Sequence, residues 1–208
     1  MTLKRIIKKR VYTCPESANL INLINPAANM GEALATPPRD LGVLLIDMQD
    51  FFVQHIVNED LNKMVAHQAR VLNYCREYDI PVFVLEFYGC GNTIKILSDK
   101  IDVLQRKERI TKRCDDGFEN TILAAQLHAE GVRNVMLMGI NASYCVRDTA
   151  AGAVNNRFSV MTSRQLIADP CYNIEKTLKF EKSIKWYEKR GLYSDDYMML
   201  LRTISAGR

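Results

Sequence analysis

Short unbroken runs of apolar residues alternate with amphipathic stretches along the chain from residue 41 onward. Each run has the length and composition of a strand that is buried on both faces of a sheet. We predict such strands at GVLLID (42–47), PVFVLEF (81–87), NVMLMG (134–139) and FSVMTS (158–163), and we interpret the short segment RITK (109–112) as a further strand.

Helical periodicity fills the intervals between these runs. We predict helices that begin at the capping residues Asn58, Asn120 and Ser194, the second ending at Gly131, and further helices over 94–104, 145–156 and 174–189. Strands that alternate with helices need crossover connections, which favour a parallel sheet. The pattern therefore predicts a three-layer α/β fold with a mostly parallel central sheet.

The first 40 residues differ from the rest of the chain. They contain four of the six prolines and no regular apolar pattern, so we interpret residues 1–40 as an N-terminal extension. Residues 41–208 are long enough for one domain with a sizeable core. We therefore predict a single folded domain over 41–208.

Composition and charge narrow the class of protein. The 208 residues include 28 basic and 24 acidic side chains, a mixed surface unlike the basic stripe of nucleic-acid-binding proteins. No apolar run approaches the roughly 20 residues of a membrane span. The six cysteines lie at irregular spacings without a C-x-x-C pair, and the chain start lacks the features of a secretory signal. We expect a cytoplasmic protein with reduced thiols and without nucleic-acid or membrane partners.

The residues that are candidates for catalysis lie where the predicted strands end. Asp47, Glu86 and Lys112 lie at strand ends, and Cys145 follows the fourth run after a short loop. Ligands of open parallel sheets bind at the carboxyl ends of the strands. A helix start and a nearby ammonium would lower the pKa of a thiol, so we interpret Cys145 as an activated nucleophile with Asp47 as its proton acceptor. Taken singly, a buried cysteine, a turn aspartate and a solvated lysine remain the ordinary alternatives.

Three ordered motifs resemble those of a known family. LLIDMQDFFV, the K-x5-F spacing from Lys112 to Phe118, and GINASYCVRDTA are similar to the signatures of isochorismatase-like hydrolases. The resemblance extends over residues 41–170. It implies a Rossmann-like fold, a small-molecule substrate, and a homodimer or homotetramer.

The same resemblance implies roles for individual residues. It points to a catalytic triad of Asp47, Lys112 and Cys145 and to an oxyanion hole formed by the N–H groups of Asn141 and Cys145. It also places a cis peptide bond between Ile140 and Asn141. These residues are therefore expected at one edge of the sheet.

The chain departs from the nicotinamidase type of this family. Those members carry an Asp-x-His metal motif after the second strand, where this chain has LEFYGCGNT. We accordingly predict no metal and no other cofactor. Four aromatic residues near the triad or the strand ends are candidates for the substrate pocket: Phe52, Tyr88, Phe118 and Tyr144.

Three alternative functions are consistent with these residues. Because an amide or carbamoyl carbon needs a nucleophile, Cys145 favours a metal-independent cysteine hydrolase that cleaves a C–N bond of a small amide, ureido or carbamoyl compound through a thioester. The alternative is an isochorismatase-type vinyl ether hydrolase with Asp47 as the acid and no need for the thiol. A third is an inactive family member that acts as a binding module.

Overall fold

The computed structural model describes residues 39–56, 58–169 and 174–206. The strands are β1 (Leu41–Ile46), β2 (Val82–Phe87), β3 (Lys107–Lys112), β4 (Asn134–Ile140), β5 (Ser159–Ser163), β6 (Ile167–Ala168) and β7 (Leu192–Ser194). The helices are α1 (Asp50–Val53), α2 (Asn58–Glu77), α3 (Lys95–Asp102), α4 (Leu123–Ala129), α5 (Cys145–Asn155), α6 (Ile174–Arg190) and α7 (Tyr197–Ala206).

These strands form one parallel sheet. Their order is β3-β2-β1-β4-β5-β7, and β6 pairs with the end of β4. The winding direction reverses between β1 and β4, and ligands of such sheets bind in the crevice outside the strand ends at that point. The predicted three-layer α/β fold is confirmed.

The central strands are buried because helices cover the sheet. Every residue of β1 is buried, as the continuous apolar run predicted. β4 can lie close beside β1 at its carboxyl end because it carries Gly139, whose φ is 142°. A Cβ on Gly139 would lie 2.0 Å from the carbonyl oxygen of Ile46. Only glycine therefore allows this strand to approach β1 just before the loop that leads to Cys145.

Two predicted helix starts are wrong. Asn120 adopts a positive φ of 54° in a turn, and α4 begins only at Leu123. Ser194 ends β7 instead of capping α7. The carboxylate of Asp196 accepts the N–H of Met198 at 2.8 Å and takes that capping role. In both places, a residue suited to capping lies two positions before the residue at the N-cap position.

Other differences lie in short elements and at the chain start. The sequence pattern did not predict α1, β6 or β7, which have four, two and three residues. The predicted N-terminal extension lies outside the described residues except at 39 and 40. Among the helices that the structure describes, none is long and apolar enough to cross a bilayer.

Candidate active site

An ion pair between two fully buried side chains occupies the carboxyl edge of the sheet. Asp47 follows β1 and Lys112 ends β3, and both side chains are 0% exposed with Lys112 Nζ 2.8 Å from Asp47 Oδ2. The ammonium also lies 4.6 Å from the ring centroid of Phe87 and donates to the carbonyl of Cys114 at 3.2 Å. A buried ion pair seldom increases stability relative to apolar residues, so this arrangement favours a chemical role.

Cys145 lies beside this pair as the first residue of α5. The residue is 3% exposed, and its thiol donates to Oδ1 of Asp115 at 3.3 Å. The thiol is also close enough to Asp47 for the two groups to interact electrostatically. The structure thus brings together Asp47, Lys112 and Cys145, and it adds a second carboxylate that the sequence did not indicate.

The protonation state of the thiol differs from the expectation. Burial raises the pKa of the Cys145 thiol, and the negative charge of Asp47 raises it further against the opposing effect of Lys112. Burial also raises the pKa of Asp47, which the Lys112 ammonium lowers in turn. The predicted low pKa of Cys145 is therefore wrong. The site holds a protonated thiol beside a carboxyl group that can exchange its proton.

This state predicts a slow thiol near neutral pH. We expect iodoacetamide to alkylate Cys145 at a rate that keeps rising beyond about pH 8.5, where an ordinary thiol is half ionised. Asp47→Asn removes a negative charge that raises the thiol pKa, so this variant should react faster near neutral pH. Peptide mass spectrometry gives the rate for each cysteine, and the denatured protein gives the rate of an accessible thiol. A native rate that levels off below about pH 7 would contradict this assignment.

The loop between β4 and α5 is tied to the neighbouring segment. The peptide bond between Ile140 and Asn141 is cis, at the position that the resemblance implied. The N–H of Ala142 donates to the carbonyl of Ala168 at 3.0 Å. Ser143 donates its N–H to Asp169 Oδ1 at 3.0 Å and its hydroxyl to Oδ2. These bonds hold the segment that carries the proposed oxyanion donors Asn141 and Cys145.

Gln49 fixes the other wall of the site. This fully buried side chain donates to the carbonyls of Phe87 and Gly91 at 3.0 and 2.6 Å. Its own carbonyl oxygen accepts the N–H of Phe87 at 2.7 Å. The ends of β1 and β2 are therefore joined through one amide group, which positions Asp47 two residues before it.

Glu86 has a different role from the other strand-end residues. Its Oε1 accepts both the N–H and the hydroxyl of Thr93, at 2.9 and 2.7 Å. The same oxygen is 3.2 Å from Nη1 of Arg109. The carboxylate of Glu86 thus holds the loop after β2 instead of facing the thiol.

The four aromatic candidates for the pocket lie in different surroundings. Phe52 packs edge-on against Phe87, and Phe118 packs against Phe158. Tyr88 is 58% exposed with the guanidinium of Arg113 3.7 Å from its ring centroid. Tyr144 is 41% exposed, and its hydroxyl accepts from the ammonium of Lys179. Their pocket role stays a prediction.

A cavity of about 420 Å³ opens next to the loop that carries Cys145. It lies between α2, residues 164–169 and Phe180 of α6, and Asp169 forms part of its wall. None of the four aromatic candidates is among its described lining residues. The cavity is therefore separate from the pocket that the sequence suggested.

Several residues of the site were missed in the sequence. The thiol of Cys145 contacts Asp115, and the end of β2 contacts Gln49. The loop between β4 and α5 contacts Asp169. The paired aspartates in RCDDGF, three residues after Lys112, were the available signal for Asp115. Among the residues that the structure describes, no group of three His, Cys, Asp or Glu side chains is arranged to hold a metal ion.

Sequence comparison identifies the family. The profile of the isochorismatase domain matches residues 42–171, well over half of the chain. The chain belongs to the isochorismatase family. As a member it is an isochorismatase-family hydrolase, and the predicted family is confirmed.

Two curated proteins are similar to this isochorismatase-family hydrolase. Maleamate amidohydrolase of Pseudomonas putida is 29% identical, with 76% of this chain and 67% of that protein covered. An uncharacterised isochorismatase family protein of Bacillus subtilis is 25% identical, with 68% of this chain and 82% of that protein covered.

Solved structures of low identity share the fold of this family member. A cysteine hydrolase from Pseudomonas syringae pv. phaseolicola has a TM-score of 0.69 at 16% identity, covering 83% of this chain and 96% of that one. The nicotinamidase of Staphylococcus aureus has a TM-score of 0.63 at 17% identity, covering 75% of this chain and 99% of that one.

Proposed function

We propose that this protein is a metal-independent cysteine hydrolase that cleaves a C–N bond in a small amide, ureido or carbamoyl compound. The observation that carries the proposal is a thiol at a helix start beside the buried pair of Asp47 and Lys112. A curated relative is named maleamate amidohydrolase, and similar folds include a cysteine hydrolase and a nicotinamidase. These names favour amide chemistry.

In the proposed mechanism, Asp47 takes the thiol proton while the Cys145 sulfur attacks the carbonyl carbon. The N–H groups of Asn141 and Cys145 hold the negative charge that develops on the carbonyl oxygen. Asp47 then returns the proton to the leaving nitrogen, which departs as an amine or ammonia and leaves a thioester on Cys145. Water attacks the thioester and gives a proton to Asp47. The acid departs as the carbon–sulfur bond breaks, and Asp47 returns the proton to the Cys145 sulfur, which restores the thiol.

Lys112 has a defined part in this cycle. Its ammonium lowers the pKa of Asp47 against the effect of burial. It thereby keeps a population of Asp47 ionised and able to accept the thiol proton. Because the thiol is protonated at rest, deprotonation and attack belong to one step instead of following from a stored thiolate.

Trapping of the intermediate tests this function. We expect a panel of small amides and ureides, with maleamate and nicotinamide included, to contain a compound from which the protein releases ammonia. Hydroxylamine attacks thioesters, so its addition should divert product from the free acid to the hydroxamate. Both products are quantified by mass spectrometry, and Cys145→Ala with hydroxylamine measures the uncatalysed background. Acid release without any diversion would argue against a thioester.

The vinyl ether alternative has one observation in its favour. The pKa of Asp47 is raised by burial, and a carboxyl group with a raised pKa can act as a proton donor. In that reaction Asp47 protonates the vinyl ether and water completes the cleavage, while Cys145 has no part. Isochorismate therefore belongs in the same substrate panel.

A further inference from the structure

We propose that Asp115 selects substrates that carry a positive charge or additional N–H donors close to the scissile carbonyl. This inference rests on the proposed function, because it assigns a specificity role at the same thiol. The chemical class is then an amide, ureide or carbamoyl compound with a nearby ammonium, guanidinium or urea group.

The position of Asp115 is fixed relative to the thiol. Its Oδ1 lies 3.3 Å from Cys145 Sγ, and the residue itself is exposed. The hydroxyl of the fully buried Thr149 donates to the carbonyl of Asp115 at 3.2 Å and accepts the N–H of Gly117 at 2.9 Å. Thr149 lies one turn after Cys145 in α5. The helix that carries the nucleophile therefore also holds the segment that carries this carboxylate.

The carboxylate of Asp115 lies beside the thiol and forms no ion pair with any described residue. Asp47 and Lys112 form their own pair at 2.8 Å. Within the described part of the chain, Asp115 has no salt bridge. The guanidinium of Arg113 lies over the Tyr88 ring, and that of Arg147 is 2.9 Å from Asp148. A substrate cation would thus supply the ion-pair partner that this carboxylate lacks among the described residues, and a substrate N–H group would be a further donor beside the thiol.

Further carboxylates lie near Asp115. Asp116 and Glu119 follow Asp115 in the same segment, and Asp148 is close enough to affect the pKa of Asp116. Clustered charges of one sign attract ligands of the opposite sign. A substrate N–H that bonds to Asp115 would also replace the bond from the thiol, which is then free to give its proton to Asp47. An anionic substrate would instead be repelled by the Asp115 carboxylate beside the nucleophile.

Charged thiol reagents test this selection without a known substrate. Methanethiosulfonates transfer their alkylthio group to a thiol, with methanesulfinate as the leaving group. At low salt, the 2-(trimethylammonio)ethyl reagent should modify Cys145 about tenfold faster than the 2-sulfonatoethyl reagent, relative to their rates with a free thiol. Asp115→Asn should lower this ratio by about threefold to tenfold, and salt should lower it in the wild type. Peptide mass spectrometry separates Cys145 from Cys90 and Cys114.

Glu119→Gln is the matched control for charge. It removes one negative charge from an exposed residue of the same segment, so it should leave most of the cation preference intact. If Glu119→Gln lowers the ratio as much as Asp115→Asn, the selection is a diffuse surface effect and the role of Asp115 is overturned. Equal rates for both reagents in the wild type would overturn it as well.

Three amides of matched size test the same role in catalysis. Protonated 3-aminopropanamide, butanamide and succinamate differ mainly in the charge of one terminal group. We expect kcat/KM to fall in that order, and Asp115→Asn to reduce the preference for the cation over butanamide about threefold to tenfold, mainly through KM. Hydrolysis of all three without preference overturns the inference but not the hydrolase function. Cation-selective labelling without hydrolysis of these three amides or of any compound in the amide and ureide panel overturns the function but supports the charge selection.

Discussion

Cys145→Ala should lower kcat for amide hydrolysis by on the order of 10³ or more, because the residual site has no group that can form a thioester. The substitution removes one sulfur atom from a residue that is 3% exposed. We expect a loss of about 1 kcal/mol in the free energy of unfolding, in line with a small buried deletion. Ammonia release and urea unfolding, measured on the same preparation, separate the two effects.

Cys75→Ala provides the matched control. Cys75 is a buried cysteine of α2 that packs within the hydrophobic core. Its substitution should cost similar stability and leave kcat unchanged within about twofold, since the residue has no part in the proposed mechanism. If Cys145→Ala retains isochorismate hydrolysis and wild type hydrolyses no amide, the vinyl ether reaction replaces the amide reaction as the function.

Lys112→Met should have the largest effect on stability. It leaves the fully buried carboxyl group of Asp47 without its cation, and breaking a buried ion pair in this way costs about 3 to 5 kcal/mol. Lys112 lowers the pKa of Asp47, so the variant raises that pKa further above its unfolded value. A raised folded pKa stabilises the fold only at low pH, and this contribution is lost as pH rises through the folded pKa. The destabilisation relative to wild type should therefore increase with pH.

Urea unfolding at about pH 5 and about pH 8 measures this dependence. The double variant Asp47→Asn with Lys112→Met removes both charges, so it should be more stable than Lys112→Met at the higher pH while remaining inactive. Equal destabilisation by Lys112→Met at both pH values would show that Lys112 does not change the ionisation of Asp47 between those pH values. That result would contradict the part given to Lys112 in the proposed cycle.

The middle of the sheet was predictable because β1 and β4 are buried on both faces. A run such as LGVLLI in β1 is readable in the sequence, and parallel strands bring their carboxyl ends to one edge. That is why Asp47, Lys112 and Cys145 could be placed together. β6 and β7 could not be predicted, since two or three residues carry too little periodicity.

The electrostatics of the site could not be derived from residue types alone. A helix start and a lysine suggested a low thiol pKa, but burial of Cys145 and the charge of Asp47 reverse the direction. Both depend on how closely β1, β3 and α5 approach one another. The contact of Asp115 with the thiol depends likewise on Thr149, whose hydroxyl holds the intervening turn.

The pairing of β1 with β4 has a consequence for how the protein forms during synthesis. Leu41 of β1 lies opposite Asn134 of β4, about 90 residues later in the chain. A nascent chain that has released only β1 to β3 has one long edge of an apolar strand without a partner. We therefore expect such unfinished chains to aggregate readily or to need a chaperone. Cys145 can lie beside Asp47 only after β4 has paired with β1.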